Sequence, residues 1–242
     1  MTADFIAWNS QSTQYEKAFT TFLAHTDQKR KAHDYLRQVV SAIPHRRVLL
    51  DAGAGSGETT GQLAGHFERI IAIEPNPDLR KRLAHQLPHA EIHEGEILNV
   101  RPRSEADLVL CSHVLYYIPL DQWPAHLRQL VSWKTSSGVC VIALQNPDSD
   151  CMRMLQHFGG PRFDPRSALD GRLTRLVDLV TVPAHVQTPD LPAAVEIAAF
   201  MLSLAPLPAP PRREQVENYV QANFSIAGGY RFTCTQDFLH IG

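Results

Sequence analysis

The stretch Val48-Leu49-Leu50-Asp51-Ala52-Gly53-Ala54-Gly55-Ser56-Gly57-Glu58 decides the fold. It opens with a short apolar run that ends in a carboxylate and is bounded by glycine, the pattern of a strand buried on both faces. Gly53, Gly55 and Gly57 follow at alternate positions. Directly after a buried strand, glycines let the backbone turn sharply and approach a ligand where a Cβ would clash. Working outward, Thr59 to Phe67 reads as helix, Ile70 to Glu74 as strand, Pro77 to Gln86 as helix, and Ala90 to His93 and Ala106 to Ser112 as further strands. Glu74 thus ends the second strand 23 residues past Asp51. A carboxylate at that tip is placed to accept both hydroxyls of a ribose lying at the strands' carboxyl ends, which predicts a ribonucleoside-type cofactor.

The alternation continues downstream. A helix runs through Leu130 to Trp133, a strand follows at Val139 to Leu144, and Pro147 to Arg172 is less regular. Parallel strands joined by right-handed crossovers account for this order, giving an open α/β sheet with helices on both faces. Upstream, Tyr15, Phe19 and Phe22 and then Leu36, Val39, Val40 and Ile43 recur at helical steps, so residues 15 to 43 read as one helix that Pro44 stops. In the tail, Asp190 is an N-cap for a helix from Leu191 to Leu204, Pro206 to Pro211 is a linker, and Tyr230 to Ile241 alternates as an edge strand. There is no internal repeat.

Composition excludes several classes of function. The chain has 242 residues, 44% apolar and 20% charged, which suits one globular domain with insertions and leaves two full domains cramped. A net charge of −2 argues against a nucleic-acid grip, which needs a clustered basic face. The short basic clusters Lys29-Arg30-Lys31, Arg46-Arg47 and Arg80-Lys81-Arg82 read as solvated faces. Cys111, Cys140, Cys151 and Cys234 have no metal-ligand or disulfide-framework spacing, so no metal site is expected and reduced thiols in a cytoplasm fit best. Met1 to Ser10 lacks the pattern of a secretory leader, and no apolar run is long enough to span a membrane.

The glycine spacing narrows the cofactor. A dinucleotide fingerprint is G-x-G-x-x-G, which rests a pyrophosphate on the helix N-terminus. Here the spacing is G-x-G-x-G, and Glu58 follows with a negative charge that opposes a pyrophosphate. This disfavours a dehydrogenase and favours a cofactor without phosphate. The motif D-A-G-A-G-S-G from Asp51, the distal Glu74-Pro75, Gly95-Glu96-Ile97 after the third strand, and the run Asp107 to Ile118 together resemble the class I S-adenosylmethionine-dependent methyltransferases. That resemblance implies a Rossmann-like fold and S-adenosylmethionine held by Asp51, Gly53, Gly55, Gly57, Glu74, Pro75, Glu96, Ile97, Ser112 and His113.

Further segments are similar to the histamine N-methyltransferase family: Tyr15 to Thr26, Leu115-Tyr116-Tyr117, Phe158 to Phe163, and Phe232 to Ile241. The likeness implies a mostly parallel seven-strand sheet and an N-terminal helical lid. The lid is residues 1–44, and 45–242 form the cofactor domain, with insertions at about 147–172 and 190–224. It also implies a monomer acting on a small amine. Tyr15 and Phe19 would face the sulfonium, where cation–π attraction contributes about 0.5 to 2 kcal/mol per well-placed ring, although such a stripe is equally a plain core pattern. His113, Tyr116 and Tyr117 would flank the transfer site together with Tyr15.

The family holds its amine with three side chains whose positions here carry Gln28, His113 and Cys234. The carboxylate that pairs with a cationic amine is missing, so histamine itself is not the expected substrate. Asn146 lies at a strand end where ligands gather, but Asn-Pro-Asp is also a turn signal. Methyl transfer to a nitrogen, or less favourably an oxygen, of a small molecule is the first expectation. The second has the cofactor's own amine as nucleophile, as in the methyltransferase-like enzymes that cyclise S-adenosylmethionine to azetidine-2-carboxylate with release of methylthioadenosine. An α-amino group of pKa about 8 would keep a usable neutral fraction in an apolar pocket. A non-catalytic module that senses the cofactor is the third.

Overall fold

The structure is a computed structural model that describes residues 12–172 and 174–242. The expectation for Met1 to Ser10 lies outside these residues. Two compact units emerge. The first gathers the described residues through Lys31, Gln145–Asp164 and Val182–Gln236; the second gathers Ala32–Leu144, Pro165–Thr181 and Asp237–Gly242.

In the chain's N-terminal part, helix α1 (Thr13–His25) is followed by α2 (Gln28–Ala42), so the single helix expected over 15–43 is broken. The physical reason lies at Thr26, whose backbone is extended and bridges to Val186, while its hydroxyl donates to the carbonyl of His185 at 3.0 Å and accepts the N–H of Gln28 at 3.1 Å. A β-branched residue with two such bonds terminates one helix and caps the next.

The second unit is built on a sheet. Strands β1 (Val48–Ala52), β2 (Arg69–Ile73), β3 (Glu91–His93), β4 (Ala106–Ser112) and β5 (Lys134–Gln145) alternate with α3 (Glu58–Ala64), α4 (Pro77–Gln86) and α5 (Trp123–Ser132). β1 pairs in parallel with β2 from Val48↔Arg69 to Ala52↔Ile73 and with β4 from Leu49↔Leu108 to Asp51↔Leu110. β2–β3 and β4–β5 are parallel as well. Every residue of β1 is buried, as a strand flanked on both edges and covered on both faces must be. Its start is pinned by the buried Asp107, which accepts N–H bonds from Arg47 at 2.8 Å and Val48 at 3.1 Å and the Arg47 guanidinium at 2.9 Å.

The rest of the chain supplies α6 (Asp150–His157), β6 (Leu176–Val182), β7 (His185–Thr188), α7 (Leu191–Leu202), α8 (Arg213–Phe224), β8 (Ser225–Ile226), β9 (Gly229–Thr233) and β10 (Gln236–Ile241). The seven-stranded sheet has the order β3-β2-β1-β4-β5-β10-β6. It is mostly parallel; the reciprocal bonds between Arg175 and Gly242 at 2.9 and 3.1 Å make the last pair antiparallel. The edge strand expected over Tyr230 to Ile241 is therefore corrected twice. The segment is two strands in different sheets, and β10 lies inside its sheet, with Gln236 to Leu239 buried. Alternation of side chains cannot distinguish an edge from an interior position, because that depends on which strand arrives on the far side.

The first unit has its own small antiparallel sheet, β7-β9-β8, paired from His185↔Thr233 to Thr188↔Tyr230 and from Ser225↔Tyr230 to Ile226↔Gly229. Asp190 caps α7 as expected, accepting the N–H of Ala193 at 2.9 Å. Phe200 of that helix is the centre of an aromatic cluster, with Tyr15, Phe19 and Phe22 of α1 at ring distances of 5.2, 5.4 and 5.4 Å. No helix among the described residues is long and apolar enough to cross a membrane.

Candidate active site

Apart from Tyr15 and Phe19, the cofactor residues expected from the sequence lie in the second unit, at the carboxyl ends of β1, β2, β3 and β4. That is where an open α/β sheet binds its ligand. The glycine loop leaves β1 with left-handed φ of 84°, 59° and 90° at Gly53, Gly55 and Gly57. The three glycines nonetheless serve different ends. A Cβ on Gly53 would run into the side chain of Val114, and one on Gly57 would come within 2.7 Å of Leu83 Cδ1, so both are needed for packing. A Cβ on Gly55 would meet nothing within 4 Å. Gly55 alone borders open space, and a ligand can reach its backbone.

Glu74 is buried at the tip of β2, with one carboxylate oxygen accepting the Gly55 N–H at 2.8 Å and the other accepting the Asn76 N–H at 2.8 Å. Each oxygen keeps further acceptor capacity, since a carboxylate has about four lone-pair sites. Beneath the loop Asp51 is fully enclosed and accepts the Thr60 hydroxyl at 2.6 Å. Burial, with the nearby charge of Glu74 adding to it and the Thr60 bond opposing it, pushes the Asp51 carboxyl up to about 6. Thr60, on the first helix after the loop, was not singled out by the sequence; it is the hydroxyl that makes a buried carboxylate tenable.

After β3, Gly95 has φ of 129° and Glu96 is exposed, its carbonyl accepting the N–H groups of Asn99 at 2.9 Å and Val100 at 3.2 Å. Ile97 is buried. Beyond Ser112, at the end of β4, His113 is the one non-glycine among the described residues with a left-handed backbone, at φ 58°. Its N–H bonds to the carbonyl of Ala143 at 2.8 Å, and its Nδ1 lies 3.4 Å from the Tyr116 hydroxyl with the two rings stacked. Strained residues of this kind persist where the surroundings over-determine them, and they concentrate at ligand sites. Tyr116 is buried, whereas Tyr117 is 56% exposed.

Five other positions fall in the first unit. Tyr15 and Phe19 pack on Phe200, as described, and both stay half-buried. Gln28 and Cys234 are brought together: the buried Gln28 amide donates to the Cys234 carbonyl at 2.7 Å, and the Cys234 thiol lies 3.2 Å from the Thr26 hydroxyl. Burial pushes that thiol up to about 12. Asn146 uses its side-chain oxygen to accept the Asp148 N–H at 2.8 Å, so the turn reading describes its geometry. Among the described residues no group of three His, Cys, Asp or Glu side chains converges as a metal site would require.

One basic cluster is corrected by the structure. Arg80, read with its neighbours as a solvated face, has a side chain only 17% exposed, against 78% for Lys81. Helical spacing alone places both near the surface; the fold turns one of them inward.

These residues fit S-adenosylmethionine. Gly55 would allow a close backbone approach, and Glu74 would accept the ribose hydroxyls.

Comparison with known proteins agrees at the level of family and fold. A family of methyltransferase domains matches residues 23–175, more than half of the chain. An uncharacterized methyltransferase of Alkaliphilus oremlandii is 27% identical over 134 residues, which are 54% of this chain and 62% of that protein. The chain thus spans less than two thirds of the length of the curated relatives it matches. Among solved structures, a Bacillus halodurans C-125 protein named as a candidate methyltransferase superposes with a TM-score of 0.62 at 11% identity, covering 86% of this chain and 97% of that one. The N-methyltransferase NodS of Bradyrhizobium japonicum WM9, in complex with S-adenosyl-L-homocysteine, superposes with a TM-score of 0.56 at 18% identity, covering 71% of this chain and 91% of that one. At these identities the likeness establishes the fold, while the family match reaches through the glycine loop and Glu74. The chain belongs to the methyltransferase-domain family, in the class I S-adenosylmethionine-dependent fold.

Proposed function

We propose that this protein transfers the methyl group of S-adenosylmethionine to a nitrogen of a small molecule. The observation that carries this reading is the pairing of the open backbone at Gly55 with the Glu74 carboxylate bonded to it at 2.8 Å. When bound, S-adenosylmethionine supplies an electrophilic methyl carbon on a sulfonium that is its own leaving group. The chain's work is then to bind and orient, because bringing nucleophile and carbon into line accounts for much of the barrier. Glu74 holds the ribose, Gly55 allows the approach, and Ile97 lies against the base. His113, Tyr116 and Tyr117 flank the point of transfer, where a neutral acceptor nitrogen is needed. The N-methyltransferase NodS, similar in fold, supports nitrogen as the acceptor.

A second reading starts from position 28, where the family resemblance implies a carboxylate to pair with a cationic amine and the chain carries Gln28. With that pairing absent, the nucleophile is the cofactor's own amine, and the products are azetidine-2-carboxylate and methylthioadenosine. In this step nitrogen forms a bond to the γ-carbon, the γ-carbon–sulfur bond breaks with its electron pair going to sulfur, and the amine proton leaves to solvent.

Incubation with S-adenosylmethionine alone and then with a panel of small amines, followed by mass spectrometry, separates the two. Methyl transfer requires S-adenosylhomocysteine to form only when an acceptor is present. Rapid methylthioadenosine release from the cofactor alone, with no methylated amine, overturns it in favour of cyclisation; methylthioadenosine at the spontaneous rate removes cyclisation.

A further inference from the structure

Arg80 occupies the first turn of α4, where a cation opposes the helix dipole and where Asn76 already caps the helix through the N–H groups of Asp78 at 2.9 Å and Leu79 at 3.2 Å. Local preference therefore gives no reason for arginine here, and a side chain in conflict with its own helix points to a tertiary role. The guanidinium folds back across the end of β2. Its Nη1 donates to the carbonyl of Glu74 at 3.1 Å and to that of Pro75 at 2.6 Å, and its Nη2 pairs with Glu94 at 3.0 Å. Glu74 and Pro75 form the loop after β2; Glu94 opens the loop after β3 that carries Gly95, Glu96 and Ile97.

We infer that Arg80 is a positioning residue for the nucleoside site: its planar guanidinium straps the two loops together and fixes the carboxylate of Glu74 and the backbone before Ile97 in one arrangement. This rests on the cofactor reading above. Arg80 bonds the main-chain carbonyl of Glu74, so it acts through Glu74 and does not compete for the carboxylate, whose oxygens face Gly55 and Asn76. Three bonds in fixed directions suit the rigid fork of arginine; a lysine ammonium on a flexible stem would hold one carbonyl at a time. Glu94 is 79% exposed, so its ion pair is screened and contributes direction more than strength.

The test uses Arg80→Met, Arg80→Lys and Glu94→Gln in the full chain. Calorimetric titration with S-adenosylhomocysteine and, separately, with adenosine measures the nucleoside half of the site. Amide hydrogen exchange by mass spectrometry on the unliganded protein measures the loops at residues 74–76 and 94–97. Arg80→Met is expected to weaken both ligands by at least tenfold and by a common factor, and to speed exchange in both loops at least tenfold. Arg80→Lys recovers part of each, and Glu94→Gln stays within threefold of the parent. Should Arg80→Met fail to fold, the same comparison is made with Arg80→Lys, expected at threefold or more. Affinities within twofold of the parent, or unchanged exchange in either loop, overturn the strap. Failure of the parent to bind both ligands overturns the cofactor reading instead, and the exchange measurement still decides whether Arg80 holds the loops.

Discussion

Glu74 is hydrogen bonded to the backbone of Gly55 at 2.8 Å, so the carboxylate proposed to hold the ribose also fixes the loop that the ligand must approach. One side chain at the tip of β2 thereby couples two parts of the site. Glu74→Ala removes the ribose acceptor and frees the N–H groups of Gly55 and Asn76 together. Its affinity for S-adenosylhomocysteine is expected to fall at least tenfold, and its stability by about 1 to 3 kcal/mol for the donors left without partners. Calorimetry and urea denaturation check the two effects; an unchanged dissociation constant would place the nucleoside elsewhere.

The three glycines of the loop should separate by experiment. Gly55→Ala introduces a Cβ into open space at φ 59°, which costs about 1 kcal/mol of backbone strain and blocks the ligand's approach. The variant should stay folded yet no longer gain thermal stability from S-adenosylhomocysteine. Gly53→Ala acts differently, because its Cβ meets Val114. It should lower the melting temperature more than Gly55→Ala does, and Val114→Ala should restore part of the loss. Simple additivity of Gly53→Ala and Val114→Ala would refute the packing account, since residues in contact are expected to couple.

The left-handed backbone at His113 predicts an inversion of the usual order of substitutions. A β-branched residue at φ 58° is a steric outlier, so His113→Val should destabilise by about 2 kcal/mol or more. Glycine takes that conformation freely, and His113→Gly should remain within about 1 kcal/mol of the parent despite losing the stack on Tyr116. Turnover of S-adenosylmethionine should drop at least tenfold in both. Equal stability of the valine and glycine variants would show that the strain is not felt.

Asp51 gives a pH signature of defined sign. Its carboxyl, pushed up to about 6 by burial, titrates above the ordinary value of 3.8. Between about pH 4 and 6 the folded chain therefore holds a proton that the unfolded chain has released, and stability from this group falls as pH rises through that window. The difference amounts to about 1 to 3 kcal/mol. Asp51→Asn keeps an acceptor for the Thr60 hydroxyl and removes the titration. The stability of the parent relative to this variant, from urea denaturation, should decline from pH 4 to pH 7; a difference independent of pH would mean that the carboxylate is not destabilised by its burial.

Much of the cofactor half was legible in the chain because it depends on local sequence. A strand buried on both faces must be a continuous apolar run, a loop that turns at its end must be glycine-rich, and an alternating order of strands and helices admits few topologies. Val48 to Glu58 and Glu74 therefore announced a parallel α/β sheet and the strand ends at which the ligand is proposed to bind. Thr60, Val114 and Arg80 carried no such signal. Their roles arise from contacts across elements: Thr60 under Asp51, Val114 against Gly53, Arg80 over the carbonyls of Glu74 and Pro75.

The same distinction runs through the remaining elements. The sequence determined that Asp190 starts a helix, because an N-cap is satisfied by an N–H three residues away. The break at Thr26 and the interior position of β10 were decided only in the tertiary structure. Thr26 leaves the helix because β7 offers it partners 159 and 160 residues distant in the chain, at His185 and Val186. β10 is interior because β6 joins its outer side. Helical periodicity and strand alternation record which face of a segment is apolar; which segment arrives to cover that face is a property of the folded chain alone.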